Sequence, residues 1–566
     1  MNFTADIKRQ CFDTNEILRT VESRKMNFSQ GGAQYGRYHY YQPQKLRWSS
    51  HLQSRVKLPT EIDSVQKWLS ELRWNTESEC MSVLQGKSLV TKQSHDSSTV
   101  SSAKSTKDRL DAIRSRAHVI SAEFAKLFKK IEKERWKHIK GGACRITSQV
   151  RSLLHDINTS IQDMPPYLFE EEAVIIEESA KLAQYIDSLG EINGHKPNTL
   201  PLVNMLTTIG QSFSAVVDMA LGYLIQQMIQ SIEDATSPHF ISASLSHLIS
   251  LGLEGEHMCF LIAREGGVRV LFEVCRQSKF EFAHSQALRA IATVCCVSES
   301  ILELEKAAGV ECLTDILCNE GTTEHLRSEA AGVVAQITSP CLDHNQHISG
   351  FIENMEDLIQ ALLKLCMQTH SHEVFLLATA AIANITFMDS MACDSLMQFD
   401  AARIMIEACQ VNKAESMFAK DQVATILANM AVLENCSAEI TENNGMELLL
   451  HFLHQRPSPQ AAEAERSACE RVHQKAAIAL TRLSKDAENA HIIVELGGIP
   501  RLVQLCRNIT ERNNSDGVLI ACLAALRKIA TVCGVQEFSA ADIQQLIKPT
   551  LVDSYLICSQ LEESFV

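Results

Sequence analysis

The second half of the chain repeats one arrangement of apolar and polar positions six times. From about Pro238, a short start followed by apolar residues at helical spacing recurs at intervals of roughly 42 to 53 residues. The aligned starts are Gly267, Gly309, Leu358, Ala401, Gly445 and Gly498. Four positions after each start the residue is always apolar: Leu271, Leu313, Leu362, Met405, Leu449 and Leu502. This pattern predicts six equivalent helices.

A second helix is predicted inside every copy. Its equivalent apolar positions are Ile291, Val334, Ile382, Leu427, Leu480 and Leu526. Purely helical repeats with periods of about 40 to 47 residues are typical of HEAT and armadillo solenoids. The pattern of a glycine start followed by A-x-x-A-L-x-N-L resembles the armadillo consensus more closely than the HEAT consensus. We therefore predict an all-α chain with an armadillo-like solenoid over residues 236–556.

Armadillo arrays use the last helix of each repeat to line a concave groove, where an Asn often binds the backbone of an extended peptide. The matching positions hold Asn384 and Asn429 in the third and fourth repeats. The other repeats have Thr293, Gln336, Arg482 and Lys528 there. Two interpretations stay open, a peptide groove centred on the third and fourth repeats or local capping and packing by the two Asn side chains.

A helical region is predicted for residues 108–235. Its first helix carries an apolar stripe and a lysine-rich polar face, and we expect it to end at Gly141-Gly142. A basic amphipathic helix can lie on acidic lipid or pack in a bundle. The bundle is favoured because three more helices follow, predicted at Ile146–Asn158, Glu170–Leu189 and Pro201–Ile232.

Residues 61–86 carry an isolated amphipathic helix, between a polar tail at 1–60 and a polar linker at 87–107. Asp63 followed by Gln66 is typical of a helix start. One face of the helix is apolar. Two carboxylates follow the helix, two residues apart, and this spacing places both on one side of an extended segment. The apolar residues are Val65, Trp68, Leu69 and Leu72, and the carboxylates are Glu77 and Glu79. This pattern favours docking in a partner's groove with charge-assisted pairing, and the alternative is a helix that caps the neighbouring bundle.

The two ends of the chain suggest further contacts. The tail at 1–60 interleaves tyrosines with Arg and Lys, which suits either a flexible tail or stacking on single-stranded nucleic acid. At the other end, residues 557–566 finish in EESFV, where Ser564 and Val566 match a peptide that adds a strand to a PDZ domain.

Composition narrows the class of protein. A net charge of −15 argues against a general nucleic-acid-binding role. The start lacks a signal-peptide pattern, and the best apolar window, Ala215–Ile225, is short and contains Asp218, so we expect no transmembrane segment and a cytosolic protein.

The sequence carries no motif for catalysis. It has no Walker loop, Rossmann fingerprint or H-E-x-x-H pattern, and its 19 cysteines include no C-x-x-C pair. Cysteine recurs late in four repeats, at Cys275, Cys366, Cys409 and Cys506, which indicates packing. The group His370, His372 and Glu373 lies in a predicted turn, where polar residues are expected. We expect no metal, no cofactor and no enzymatic activity.

Several segments together resemble the Inscuteable family. They are DSVQKW…EL…TESECMSVLQ from Asp63, the repeat sequences EVFLLATAAIANITF and DQVATILANMAVLE, and the ending LVDS…EESFV. The resemblance implies an adaptor of asymmetric or oriented cell division that links the Par polarity scaffold (Bazooka) to Pins/LGN and orients the mitotic spindle. It implies cytoplasmic location with recruitment to the apical cell cortex.

The resemblance also assigns residues to partners. It implies that Val65, Trp68, Leu69 and Leu72 dock in the tetratricopeptide repeats of Pins/LGN, and that Glu77 and Glu79 form the acidic part of the motif. Related chains have ECEC where this one has Glu77-Ser78-Glu79-Cys80, so one thiol is lost. The helical region at Asp108–Ile232 is expected to add to this contact and to higher-order assembly, and the armadillo part to bind the polarity scaffold. The alternative is a transport receptor or coactivator that binds extended peptides through Asn384 and Asn429.

Overall fold

The computed structural model describes residues 100–133, 135–161, 166–189, 199–235, 237–339, 348–388 and 391–539. These residues form 22 α-helices and two short 3-10 helices, with no strand in the described ranges, which confirms the all-α prediction. They fall into two compact units. The first contains the described residues up to Leu248 together with Leu261–Val270, and the second contains Ile249–Phe260 and the described residues from Leu271 onwards.

Four long helices form most of the first unit. In chain order they are α1 Val100–Glu132, α2 Trp136–Ser160, α3 Pro166–Leu189 and α4 Thr199–Glu233, with α5 Pro238–Gly252 after them. Helix α4 packs on α1 and α3, and α2 packs on α1. The predicted bundle is therefore present. Its last two helices agree closely with the predicted ones, whereas α2 begins at Trp136 rather than at Ile146.

Both ends of α1 also differ from the prediction. Helix α1 begins at Val100, inside the stretch predicted as a linker, and it ends at Glu132 rather than at Gly141-Gly142. Both glycines lie inside α2. A Cβ on Gly142 would lie 2.9 Å from Cδ1 of Leu127. The glycine therefore lets the α2 backbone approach α1, which is a packing role rather than a helix stop.

The apolar stripe of α1 is used inside the bundle. Phe124 and Leu127 are buried, and the Phe124 ring lies 6.3 Å from the ring of Phe213 on α4. On the polar face, Lys126 donates to Glu123 at 2.8 Å. This hydrogen bond lowers the pKa of Glu123 more strongly than its burial raises it. The structure thus supports the bundle interpretation of the basic helix.

Helix α4 is the one described helix long and apolar enough to cross a membrane by length and composition. Of its most apolar window, 56% is buried inside the protein, and the core helix of a globular unit passes the same test. Its buried side chains include Leu206, Phe213 and Leu224. The packing on α1 and α3 accounts for its apolar character.

The remaining helices form the repeats, each with a short first helix (H1), a second helix (H2) and a longer third helix (H3). Repeat one contains α6 Glu256–Arg264, α7 Gly267–Arg276 and α8 His284–Val294, and repeat two contains α9 Ser298–Lys306, α10 Gly309–Cys318 and α11 Glu324–Ile337. Repeat three contains α12 Ser349–Gln368 and α13 His372–Met388. Repeat four contains α14 Met391–Gln398, α15 Ala401–Gln410 and α16 Met417–Met430. Repeat five contains α17 Glu434–Glu442, α18 Gly445–Leu453 and α19 Glu463–Leu483, and repeat six contains α20 Ala487–Glu495, α21 Gly498–Arg507 and α22 Asp516–Cys533.

This arrangement confirms the armadillo-like solenoid and corrects one predicted start. Five of the six predicted starts are the first residues of H2 helices, but Leu358 lies in the middle of α12. In the other repeats a residue with positive φ separates H1 from H2. These residues are Gly266, Ala308, Asp400, Asn444 and Gly497. Helix α12 runs without such a break, so repeat three has one long helix in place of H1 and H2.

The glycine at the start of H2 is required by close packing against H1. A Cβ on Gly445 would lie 2.7 Å from the carbonyl oxygen of Ile440 and 2.4 Å from its Cγ2. At Gly498 the equivalent distance to the carbonyl oxygen of Ile493 is 2.8 Å. Backbone atoms cannot move aside as a flexible side chain can, so an added methyl group is overpacked at Gly445 and Gly498, although repeat four accommodates Ala401 at the equivalent position.

We predict that Gly445→Ala lowers the free energy of unfolding by about 1–3 kcal/mol, because the added methyl group overpacks the H1–H2 junction. Gly141→Ala is the matched control, since no atom lies within 4 Å of its added Cβ. Inside α2 this control should be neutral or stabilise by up to about 1 kcal/mol. Urea unfolding followed by circular dichroism measures both, and equal midpoints for the two variants would contradict the packing explanation.

Candidate functional site

Most of the predicted partner-binding residues lie outside the described residues. These are the helix and acidic residues Val65, Trp68, Leu69, Leu72, Glu77 and Glu79, and the C-terminal residues Ser564 and Val566. Their roles stay predictions. The structure does describe the two groove candidates, Asn384 and Asn429.

Both groove candidates bind the neighbouring repeat. Nδ2 of Asn384 donates to the carbonyl oxygen of Ala335 at 2.9 Å. Nδ2 of Asn429 donates to Oγ1 of Thr386 at 2.9 Å. Asn429 is fully buried and Asn384 is only 8% exposed. Both Asn side chains therefore make local packing contacts, and a peptide groove at these two residues stays a prediction.

The same position in other repeats makes equivalent contacts. Nε2 of Gln336 donates to the carbonyl oxygen of Cys295 at 3.2 Å, and a guanidinium nitrogen of Arg482 donates to the carbonyl oxygen of Ala428 at 2.6 Å. Each of these bonds joins one H3 helix, or the residue that follows it, to the H3 helix of the next repeat. The polar residue at this position thus links consecutive repeats, whether it is Gln, Asn or Arg.

Ion pairs join the same helices. Arg289 of α8 pairs with the buried Glu329 of α11. Between α16 and α19, Oδ2 of Asp421 lies 2.8 Å from Nε of Arg471, and Oδ1 lies 2.7 Å from Nζ of Lys475. All three side chains of this second cluster are at most 5% exposed. Burial favours the neutral carboxyl group, but Lys475 and Arg471 outweigh it and hold the pKa of Asp421 below its ordinary value.

The recurrent thiols are packing residues, as predicted. Cys275 and Cys366 are buried, and Cys409 and Cys506 are half-buried. Burial raises the pKa of Cys366 and that of Cys409 to about 12. Such thiols are protonated near neutral pH and are poor nucleophiles and poor metal ligands.

Of the His370, His372 and Glu373 group, only His370 lies in the turn before α13, and His372 and Glu373 are the first two residues of the helix. Nδ1 of His372 lies 2.9 Å from the carbonyl oxygen of Lys413, and its Nε2 lies 3.2 Å from a carboxylate oxygen of Glu415. In the part of the chain that the structure describes, no group of three His, Cys, Asp or Glu residues could hold a metal ion.

The fold and these contacts define a helical-repeat protein of the armadillo type. Residues 116–566 match the family described as Protein inscuteable C-terminal. Residues 60–104 match the Inscuteable LGN-binding domain. The chain belongs to the inscuteable family, which confirms the resemblance seen in the sequence.

Two curated relatives match this chain over most of their own length. The mouse (Mus musculus) Protein inscuteable homolog is 40% identical over 513 residues, which cover 89% of this chain and 88% of the mouse protein. The human (Homo sapiens) homolog is 41% identical over the same share of each chain. The family membership and the LGN-binding match support an adaptor role together with LGN.

Solved structures with detectable likeness include engineered repeat proteins. One engineered protein aligns with a TM-score of 0.46 at 17% identity, over 80% of this chain and 98% of its own. A computationally designed armadillo repeat protein for modular peptide recognition aligns with a TM-score of 0.37 at 19% identity, over 44% of this chain and 99% of its own.

We predict that Asp421→Ala costs about 3–5 kcal/mol of unfolding free energy, because it removes the carboxylate that two buried cations share. Asp315→Ala on the exposed face of α10 is the control and should change stability by less than about 0.5 kcal/mol. Urea denaturation measures both variants. A loss at Asp421 no larger than at Asp315 would contradict the role of the cluster.

The same cluster predicts a pH dependence. The pKa of Asp421 is depressed in the folded state. The ionised carboxylate therefore contributes fully to the free energy of unfolding above the unfolded-state pKa of about 3.9, and this contribution is lost as the pH falls through the folded-state pKa. Below about pH 4, the wild-type chain should therefore lose stability more steeply than Asp421→Asn. Parallel acid profiles of the two proteins would argue against this linkage.

Proposed function

We propose that this chain is a non-enzymatic adaptor that joins LGN/Pins to the Par polarity scaffold and so orients the mitotic spindle in asymmetric or oriented cell division. The observation that carries the proposal is the match of residues 60–104 to the Inscuteable LGN-binding domain, in a chain whose remainder belongs to the same family.

The LGN side of the proposal rests on the segment 61–86. Val65, Trp68, Leu69 and Leu72 share one face of the helix that the sequence predicts. Full burial of such side chains contributes roughly 1.5–3 kcal/mol each before ordering costs, which is enough for a specific helix-in-groove contact. Glu77 and Glu79 then supply carboxylates for Arg or Lys side chains of the partner.

The polarity side of the proposal rests on the solenoid. Helical-repeat arrays offer extended surfaces for protein partners. We propose that the repeats within 236–556 bind the Par scaffold, that Ser564 and Val566 bind a PDZ domain, and that the protein works in the cytoplasm at the apical cell cortex. Assembly with LGN into larger complexes involves the helical region at 108–235 in this proposal.

The LGN contact is tested with the full chain. Replacing both Trp68 and Leu72 with Ala should weaken binding to the LGN tetratricopeptide repeats by at least about 100-fold, because two apolar anchors worth about 1.5–3 kcal/mol each are lost. Isothermal calorimetry or fluorescence anisotropy measures the affinity.

The matched control changes the opposite, polar face of the same helix, with Lys67→Ala and Ser70→Ala. These variants should bind within a few-fold of the wild-type chain. If the Trp68 and Leu72 double variant binds LGN as tightly as this control, the assignment of the helix is wrong. Exchanging Glu77 and Glu79 for Gln should reduce the salt dependence of binding.

The two-partner role is tested by affinity capture from dividing epithelial cells. The wild-type chain should recover both LGN and Par components. The chain with Trp68→Ala and Leu72→Ala should lose LGN and keep the Par components, because the solenoid is unchanged. Simultaneous loss of both partners would show that the two contacts are not separate ends of an adaptor.

A further inference from the structure

Repeat six has a cysteine in H3 at a position where every other repeat has alanine or valine. This position lies four residues before Leu526 and before its counterparts in the other repeats. From repeat one to repeat six it holds Ala287, Ala330, Ala378, Val423, Ala476 and Cys522. All six side chains are fully buried. Because Cys506 is the recurrent H2 cysteine of the same repeat, only repeat six combines that cysteine with a second one at this H3 position.

The two cysteines of repeat six are in contact. Cys506 lies on α21 and Cys522 lies on α22, and these two helices pack on each other. The thiol of Cys522 donates a hydrogen bond to the sulfur of Cys506. The two sulfur atoms are therefore neighbours, which is the first requirement for a disulfide.

The two thiols differ in their access to solvent. Cys506 is half-buried, whereas Cys522 is fully buried. The hydrogen bond to Cys506, together with burial, raises the pKa of Cys522 well above its ordinary value. Cys522 is therefore protonated near neutral pH, and a reagent in solution meets the sulfur of Cys506 first.

Two buried guanidinium groups make the surroundings of the pair electropositive. Arg501 and Arg512 both lie close enough to favour a thiolate at this site. Glu511 pairs with Arg501 and offsets part of its charge. Arg512 donates to the carbonyl oxygens of Cys506 and Ser515, at 3.1 Å and 3.0 Å, and these neutral acceptors leave its charge uncancelled. Cations beside a cysteine favour the thiolate, which is the form that peroxide oxidises.

We propose that Cys506 and Cys522 form a peroxide-sensitive dithiol that converts reversibly into a disulfide. In the first step, the sulfur of Cys506 attacks hydrogen peroxide. The O–O bond breaks and an S–O bond forms, so that Cys506 is oxidised to a sulfenic acid and the leaving hydroxide takes up the thiol proton to give water.

In the second step, the sulfur of Cys522 attacks the sulfenic sulfur of Cys506. The S–S bond forms, the S–O bond breaks, and the hydroxyl group leaves as water with the proton of the Cys522 thiol. Two thiols and one peroxide thus give one disulfide and two water molecules. A thiol reductant returns both residues to thiols by exchange.

The disulfide stabilises repeat six, because cross-linked H2 and H3 helices can no longer separate. In a solenoid each repeat contacts only its neighbours, so an end repeat is supported from one side and opens readily. Repeat six is the last of the six, and oxidation therefore acts where the array needs support most. This inference does not depend on LGN binding or on any other partner.

The test is peptide mass spectrometry of the full chain after treatment with hydrogen peroxide, alkylation of the remaining thiols and digestion without reductant. A peptide pair linked through Cys506 and Cys522 should appear, and dithiothreitol should remove it. Cys409 is the matched control in the same sample, since it has the equivalent H2 position and is also half-buried, but its repeat has Val423 in H3. Absence of the link between Cys506 and Cys522, or equal participation of Cys409 in disulfides, overturns the proposal.

Single replacements test the order of the two steps. Cys522→Ala introduces the residue that four other repeats have at this position, so the fold should be retained. Without the second thiol, sulfenic acid should accumulate at Cys506, and its dimedone adduct should rise at least about fivefold over the wild-type chain. In Cys506→Ala, the buried Cys522 should give at most about a tenth of that adduct. An adduct at Cys506 that does not rise in Cys522→Ala contradicts the proposal, and so do equal adducts in the two variants.

Hydrogen exchange tests the consequence for repeat six. Peroxide treatment should slow the amide exchange of residues 516–533 at least about tenfold in the wild-type chain, because α21 and α22 are then cross-linked. The same treatment of Cys522→Ala should leave the exchange of these residues unchanged, which controls for oxidation elsewhere. Unchanged or faster exchange in the oxidised wild-type chain, or equal slowing in the variant, contradicts the stabilising role.

Discussion

Contact between H3 helices of consecutive repeats is the interaction on which the solenoid depends. An H2–H3 pair from one repeat cannot bury its own apolar surface, so each repeat is stable only when the next one covers it. Here the apolar contact is supplemented at one recurrent position by a polar side chain that binds the neighbouring helix. Gln336, Asn384, Asn429 and Arg482 have different lengths and charges but all make this link. The ion pairs of Glu329 and Asp421 add to the same interface.

The sequence predicts the H2 and H3 helices well because their apolar positions repeat in two fixed registers. Leu449 and Leu480, chosen from those registers, are fully buried. The short H1 helices have only eight or nine residues, too few to show a clear period, and they were not predicted. Their signal in the sequence is the Gly, Asn, Asp or Ala before H2 that takes a positive φ. Repeat three lacks this break, which is why its predicted start falls inside a continuous helix.

The polar contacts are harder to predict for a different reason. Asp421 and Arg471 are fifty positions apart, and nothing local to either residue shows that the other will face it. An Asn in the last helix of an armadillo repeat is compatible both with binding a peptide and with binding the next repeat. The distances to Ala335 and Thr386 show the contact with the neighbouring repeat, which the sequence alone does not reveal. Similarly, the Gly141-Gly142 pair is typical of a helix end. The short distance from Gly142 to Leu127 explains why a glycine lies inside a helix at this point.

The row of buried cysteines has a practical consequence. A protonated thiol held inside a repeat reacts with a labelling reagent only when that repeat opens, because the reactive thiolate needs solvent. Cys275, Cys366 and Cys393 are buried in three different repeats, while Cys144 in the helical bundle is exposed and should react without any opening. The natural chain therefore carries its own reporters of local opening. The order in which these thiols become labelled would reveal the order in which its repeats come apart.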